Sequence, residues 1–127
     1  MTFEVKRSEW IRGQSELSAL LVEKAHRSVE HPGRKKCCLG FFANACGISD
    51  SQIKGIGSPA SCPNFEPEVS ADWNALMRGD PPVCRWNSDL CNDLMSCNDT
   101  RTLTDDKREA ELTKLFSKLG HTVEFVD

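Results

Sequence analysis

Residues 34–49, RKKCCLGFFANACGIS, decide how this chain folds. Between positions 37 and 46, Cys37, Cys38, Leu39, Phe41, Phe42, Ala43, Ala45 and Cys46 are apolar or small, and only Asn44 is polar. A helix that is apolar on every side is a buried one. Gly47 is the kind of residue that closes such a helix. Gly40 costs its interior about 1 kcal/mol against Ala. The stretch therefore reads as the central helix of the core, with its cysteines serving as packing atoms.

Working outward toward the N-terminus, His31-Pro32-Gly33 reads as a turn. ELSALLVEKA at 16–25 is read as a helix on the spacing of Leu17, Leu20 and Leu21, although Leu20-Leu21-Val22 also suits a strand. Ser8 is placed to cap a brief helical turn holding Trp10 and Ile11, ended by Gly13. TFEVK at 2–6 alternates, with Phe3 and Val5 on one face and Glu4 and Lys6 on the other, which predicts a short half-buried strand.

Toward the C-terminus, the stretch at about 48–83 is interrupted by Gly55, Gly57, Pro59, Pro63, Pro67, Gly79, Pro81 and Pro82. It reads as a Gly/Pro-rich loop region with short helices near 50–54 and at 70–77. In the second, Ser70 caps and Trp73, Leu76 and Met77 share a face. SDLCNDLMSC at 88–97 reads as a helix capped by Ser88. Residues 105–119 form the clearest helix: Thr104 caps it, Asp105 and Asp106 favour its positive end, and Leu112, Leu115, Phe116 and Leu119 make its apolar stripe. Gly120 stops it. HTVEFVD at 121–127 alternates again and is a natural partner for residues 2–6. The expected fold class is α+β: one domain over 1–127, four to five helices around 37–46, and a small sheet formed by the N- and C-terminal strands.

The chain has 127 residues and a formal charge of −3. One domain of this length buries a sizeable core. The mild acidity argues against general nucleic-acid binding, which needs a strongly basic surface. No stretch approaches the roughly 20 apolar residues of a membrane helix, and MTFEVKRSEW lacks a signal-peptide core. A cytoplasmic location is expected. Its seven cysteines, at 37, 38, 46, 62, 84, 91 and 97, contain no CxxC pair. In that compartment they are expected to be reduced thiols. Asn98-Asp99-Thr100 is a glycosylation sequon that a cytosolic chain would never use.

Metal and catalytic patterns are weak. His26, His31, Cys37 and Cys38 match no common zinc spacing. Cys84, Cys91 or Cys97 beside His121 is the arrangement a cysteine hydrolase would need, but buried inert thiols explain them as well. No catalytic residue, metal or cofactor is expected. Gly55-Ile56-Gly57 lacks the rest of a phosphate loop. The more suggestive feature is Arg34, Lys35 and Lys36 directly before a helix with no Ser, Thr, Asp or Asn cap. Its first N–H groups need partners, and a phosphate would satisfy both these groups and the cations. A solvated basic turn is the plainer alternative. Trp73 or Trp86 would be available to stack a base.

KKCCLGFFANACGIS, LMSCNDTRTLTDDKREAELTKLFSKLG and the ending VEFVD together resemble a family of small uncharacterised proteins encoded by bacteriophages and prophages. Those proteins typically show Trp…Gly near the start, CCLG in a buried helix, and Leu-x-x-Leu-Asn-Asp before a capped helix. The matching positions are Trp10 and Gly13, Cys37 to Gly40, and Asn98-Asp99, with Cys97 standing where the family more often has Leu. The resemblance touches most of the chain outside 58–85. It implies a phage accessory protein, located in the cytoplasm of the host bacterial cell, that counters host defence by binding. The first expectation is a non-enzymatic protein, assembled as a homo-oligomer, that sequesters a phosphorylated nucleotide-derived signal through Arg34, Lys35, Lys36, Trp73 and Trp86. The second is an inhibitor that binds a host defence protein, anti-CRISPR-like or anti-restriction-like, through its acidic surface and the 58–87 loop. The third is a cysteine-dependent hydrolase.

Overall fold

The computed structural model describes residues 1–13, 36–54, 71–78 and 85–127. The expected helix at 16–25, the turn at 31–33 and most of the Gly/Pro-rich stretch lie outside the described residues. In chain order the described elements are β1 (Thr2–Lys6), a 3-10 turn (Arg7–Glu9), α1 (Cys38–Ala45), α2 (Asp50–Ile53), α3 (Ala71–Arg78), α4 (Arg85–Asp99), α5 (Asp105–Lys118) and β2 (Thr122–Val126). The α+β class expected from the sequence is the one observed, with the two terminal strands forming the sheet.

The strands run parallel, in the register Phe3↔Val123, Glu4↔Glu124 and Val5↔Phe125. Parallel neighbours require a crossover, and here the rest of the chain supplies it. Both strands carry the pattern Thr-x-Glu, so the parallel register sets Thr2 beside Thr122 and Glu4 beside Glu124. Phe3, Val5 and Val123 turn inward.

α1 is the interior helix that its composition demands. Cys38, Leu39, Phe42 and Ala43 are fully enclosed. Phe3 of β1, Phe42 of α1 and Phe116 of α5 meet as a triangle, with ring centroids 5.4, 4.9 and 5.4 Å apart. Burial of each such ring contributes about 1.5–3 kcal/mol. Trp73 of α3 packs on Phe42 from another side, at 6.1 Å.

α1 and α5 end in the same way. Gly47 and Gly120 take φ of +89° and +82°. After α1, Gly47 N donates to Asn44 O and Ile48 N to Ala43 O; after α5, Gly120 N donates to Ser117 O and His121 N to Phe116 O. This pair of bonds is the Schellman closure, which favours glycine because it needs a left-handed residue. At the start of α5, Thr104 Oγ1 accepts from Lys107 N, as the sequence predicts.

Two expected elements are corrected. The short turn after β1 spans Arg7–Glu9, and Trp10 is extended, bridged to Lys36 by Ile11 N donating to Lys36 O at 2.6 Å and Lys36 N to Glu9 O at 3.1 Å. A paired backbone leaves no room for the helical turn expected at Trp10 and Ile11. α4 runs from Arg85 to Asp99, beyond the expected 88–97 at both ends. Its C-terminal carbonyls are held by Arg108, which is 2% exposed and donates to the carbonyls of Cys97, Asn98, Thr100 and Leu103 at 2.7–3.0 Å. A guanidinium facing the negative end of a helix is favourable, and here it also fixes the loop that joins α4 to α5.

Candidate functional site

At the start of α1, the leading site candidate, the N–H groups of Cys38, Gly40 and Phe41 have partners inside the protein. Asn98 Oδ1, at the end of α4, accepts from Cys38 N at 3.1 Å and from Trp10 Nε1 at 2.7 Å. Asn98 Nδ2 donates to Ile11 O at 3.0 Å and to Asp99 Oδ1 at 2.9 Å. The missing cap is therefore a side chain 60 positions away in sequence. Gly40 N and Phe41 N donate to Cys37 O. Cys37 to Gly40 are buried, so the positive end of this helix faces the interior, where a soluble anion does not reach. Trp10, Gly13, Cys38 and Asn98 meet at this knot, since Gly13 N donates to Asn98 O at 2.8 Å.

The other expected ligand residues are scattered. Lys36 is 9% exposed; its Nζ donates to Asn44 Oδ1 at 2.8 Å, pairs with Asp50 at 3.2 Å and lies over the Phe41 ring. Its charge is matched within the fold. Trp73 is 1% exposed and offers no free ring face for a base. Arg34 and Lys35 lie outside the described residues. Trp86 sits on α4 with its side chain outside the described part.

The thiols sit in surroundings that oppose ionisation. Burial pushes Cys37 up to about 12 and Cys38 well above the ordinary thiol range. Cys46 is raised to about 12 by burial and the nearby Asp72 carboxylate, and burial raises Cys97 as well. A thiolate is the nucleophile, so none of these is poised for attack. Cys97 Sγ donates to Arg108 O at 3.7 Å, and Cys91 belongs to the core cluster. Cys84 lies outside the described residues. The contacts of His121 are with other groups than Cys91 or Cys97. Its Nδ1 accepts from the Met1 amino group at 3.0 Å, its Nε2 is 3.9 Å from Asp72, and its ring packs on Phe42. Cys46 shares the Asp72 neighbourhood of His121, a proximity that no local sequence pattern marks. Burial, and then the positive amino group, lower the His121 pKa, against the opposing pull of Asp72.

Among the described residues, a groove of about 540 Å³ lies open along β1. Thr2, Phe3 and Glu4 form one wall; Phe41, Asn44 and Ala45 of α1 form the other; Glu124 is at its rim. The strand pattern places both glutamates on the exposed face. Neighbouring positions in register put their Cβ atoms about 5 Å apart, and like charges so placed repel. Thr122 N donates to Met1 O, so in a parallel ladder Met1, Phe3 and Val5 direct their backbone bonds toward β2. The N–H and C=O groups of Thr2, Glu4 and Lys6 then point the other way, and Thr2 and Glu4 are among the residues that line the groove. Asn44 is fixed on the far wall by Lys36 and by donating to Ile48 O at 2.9 Å. The signal for this site was present in the sequence as the repeated Thr-x-Glu of the two ends.

No protein family, curated protein or solved structure compared with the chain matches it.

Proposed function

We propose that the protein is a non-enzymatic binding protein that engages a protein partner through the β1 groove, and that it serves as a phage-type accessory protein blocking a host defence complex. The observation that supports this reading is the groove itself: an open strand edge, an apolar floor at Phe3 and Phe41, and two adjacent carboxylates on its rim. Its volume falls within the roughly 300–1,000 Å³ of ordinary binding pockets. The phage and defence context comes from the sequence resemblance. Sequestration of a phosphorylated nucleotide signal would have to rest on Arg34, Lys35 and Trp86, because Lys36 is paired with Asp50 and Trp73 is enclosed.

The test has two arms. The full chain and its Ala45→Arg and Glu4→Arg variants, both changed at exposed positions, are used to capture protein from a bacterial lysate. A stoichiometric protein held by the natural chain and lost by both variants is expected. Equal capture by all three overturns the groove as the contact. In parallel, a nucleotide panel is scored by thermal shift. A rise in Tm that Arg34→Glu with Lys35→Glu abolishes would favour the signal-binding reading instead. Lys36→Glu is unsuited to that purpose, since it breaks an internal ion pair.

A further inference from the structure

The geometry points to a lysine- or arginine-bearing extended segment as the occupant of the groove, added to β1 as a third strand. This inference rests on the groove being the contact surface, and it names the chemistry of the partner.

Three features converge on it. First, the outward backbone groups of Thr2, Glu4 and Lys6 form a row of donors and acceptors at the spacing of a sheet ladder. An extended peptide completes such a row with main-chain bonds. Second, the two faces of an added strand would meet different surroundings. Side chains on the outer face would lie beside Glu4, with Glu124 one strand further on. Side chains on the inner face would lie in the groove between Phe3 and the Phe41–Ala45 wall. Successive residues of a strand point to opposite faces, so the matching sequence alternates basic and apolar. Third, the Glu4–Glu124 pair leaves like charges side by side on the rim. A cation placed over the two carboxylates removes that repulsion and gains both attractions. The same charges disfavour an acidic segment or a phosphate group. Lys6 stands at the far end of the same face, so the basic residue belongs at the Glu4 position, nearer the start of β1.

The probe is a fluorescein-labelled peptide, Lys-Val-Lys-Val-Lys-Val-Lys, titrated with the full chain and read by polarisation. A peptide with every valine replaced by proline keeps the charge and cannot join a sheet. Binding of the valine peptide at least tenfold tighter than the proline peptide is expected. Glu4→Gln combined with Glu124→Gln should weaken it at least threefold, while the Tm of the variant stays close to that of the natural chain. Amides of Thr2, Glu4 and Lys6 should gain protection from hydrogen exchange when the peptide is bound. Equal affinity for the two peptides, or no response to the double glutamine change, overturns strand addition. If the lysate partner is lost on groove substitution while the peptide fails these criteria, the groove stands as a contact and the basic-strand inference alone falls. If both fail, both fall.

Discussion

Asn98→Leu is expected to remove a large part of the stability of this domain, although it deletes no charge and keeps the side-chain volume close. Asn98 is 1% exposed. Its amide accepts from Trp10 Nε1 and Cys38 N and donates to Ile11 O. Leucine leaves all three of those buried groups without that partner. Each buried polar group left unsatisfied costs about 1–3 kcal/mol, so after some relaxation the loss is roughly 3–6 kcal/mol. A chain of this length has a total of roughly 6–19 kcal/mol at typical values per residue. Urea unfolding followed by tryptophan fluorescence reads the effect directly. With a denaturant slope near 2 kcal/mol/M, the midpoint should fall by about 1.5–3 M. Asn98→Asp separates the acceptor from the donor. It keeps the oxygen facing Cys38 and Trp10 but sets a second oxygen against Ile11 O and Asp99 Oδ1. The aspartate pKa is then raised in the folded state above its unfolded value near 3.9. The penalty is smallest below that value and grows as pH rises through the folded pKa. A loss under 1 kcal/mol for Asn98→Leu would refute the idea that this amide organises the start of α1.

Further expectations concern neighbouring features. Gly13→Ala should cost about 1–2 kcal/mol in urea unfolding, because Gly13 has φ +69° and an added Cβ would lie 3.2 Å from the Arg108 guanidinium, which four carbonyls hold in place. His121 titrates below its usual 6.5 in the folded state, so its contribution to stability is complete above pH 6.5 and is lost as pH falls through the folded value. His121→Gln should flatten the Tm profile between pH 7 and 5, and an unchanged slope would contradict the burial argument. Alkylation with iodoacetamide at pH 8, mapped by mass spectrometry, should label Cys37 and Cys38 only at the rate of unfolding. At a pKa near 12 the Cys37 thiolate fraction at that pH is about one in ten thousand.

Much of the fold could be read from local pattern. α5 announces itself through Thr104, two aspartates and a regular apolar stripe, and the apolar run at 37–46 dictates burial whatever surrounds it. Alternation in TFEVK and HTVEFVD gave the strands and their inward faces. It did not give their direction, because alternation has the same form in parallel and antiparallel pairs. The functional expectation failed to settle for a related reason. The helix starting at Cys38 looked uncapped because its cap, Asn98, is distant in sequence and close only after folding. Three consecutive cations looked like a surface patch, whereas Lys36 is drawn inward by Asn44 and Asp50. Trp73, expected to stack a base, shares its helix face with Leu76, and both are enclosed in the core. Arg108 read as an ordinary charge on an amphipathic helix, and only the carbonyls at the end of α4 explain its burial.

The contest between the β1 groove and the basic turn before α1 as the point of contact is decided most directly by amide chemical-shift mapping on the isotope-labelled full chain. On titration with the alternating lysine–valine peptide, shifts are predicted at Thr2 to Lys6, at Asn44 and Ala45, and at Glu124. Cys37 to Gly40 should stay still, both with the peptide and with cyclic or linear nucleotides. Nucleotide-induced shifts concentrated at Lys36 to Gly40, with β1 unmoved by the peptide, would contradict this.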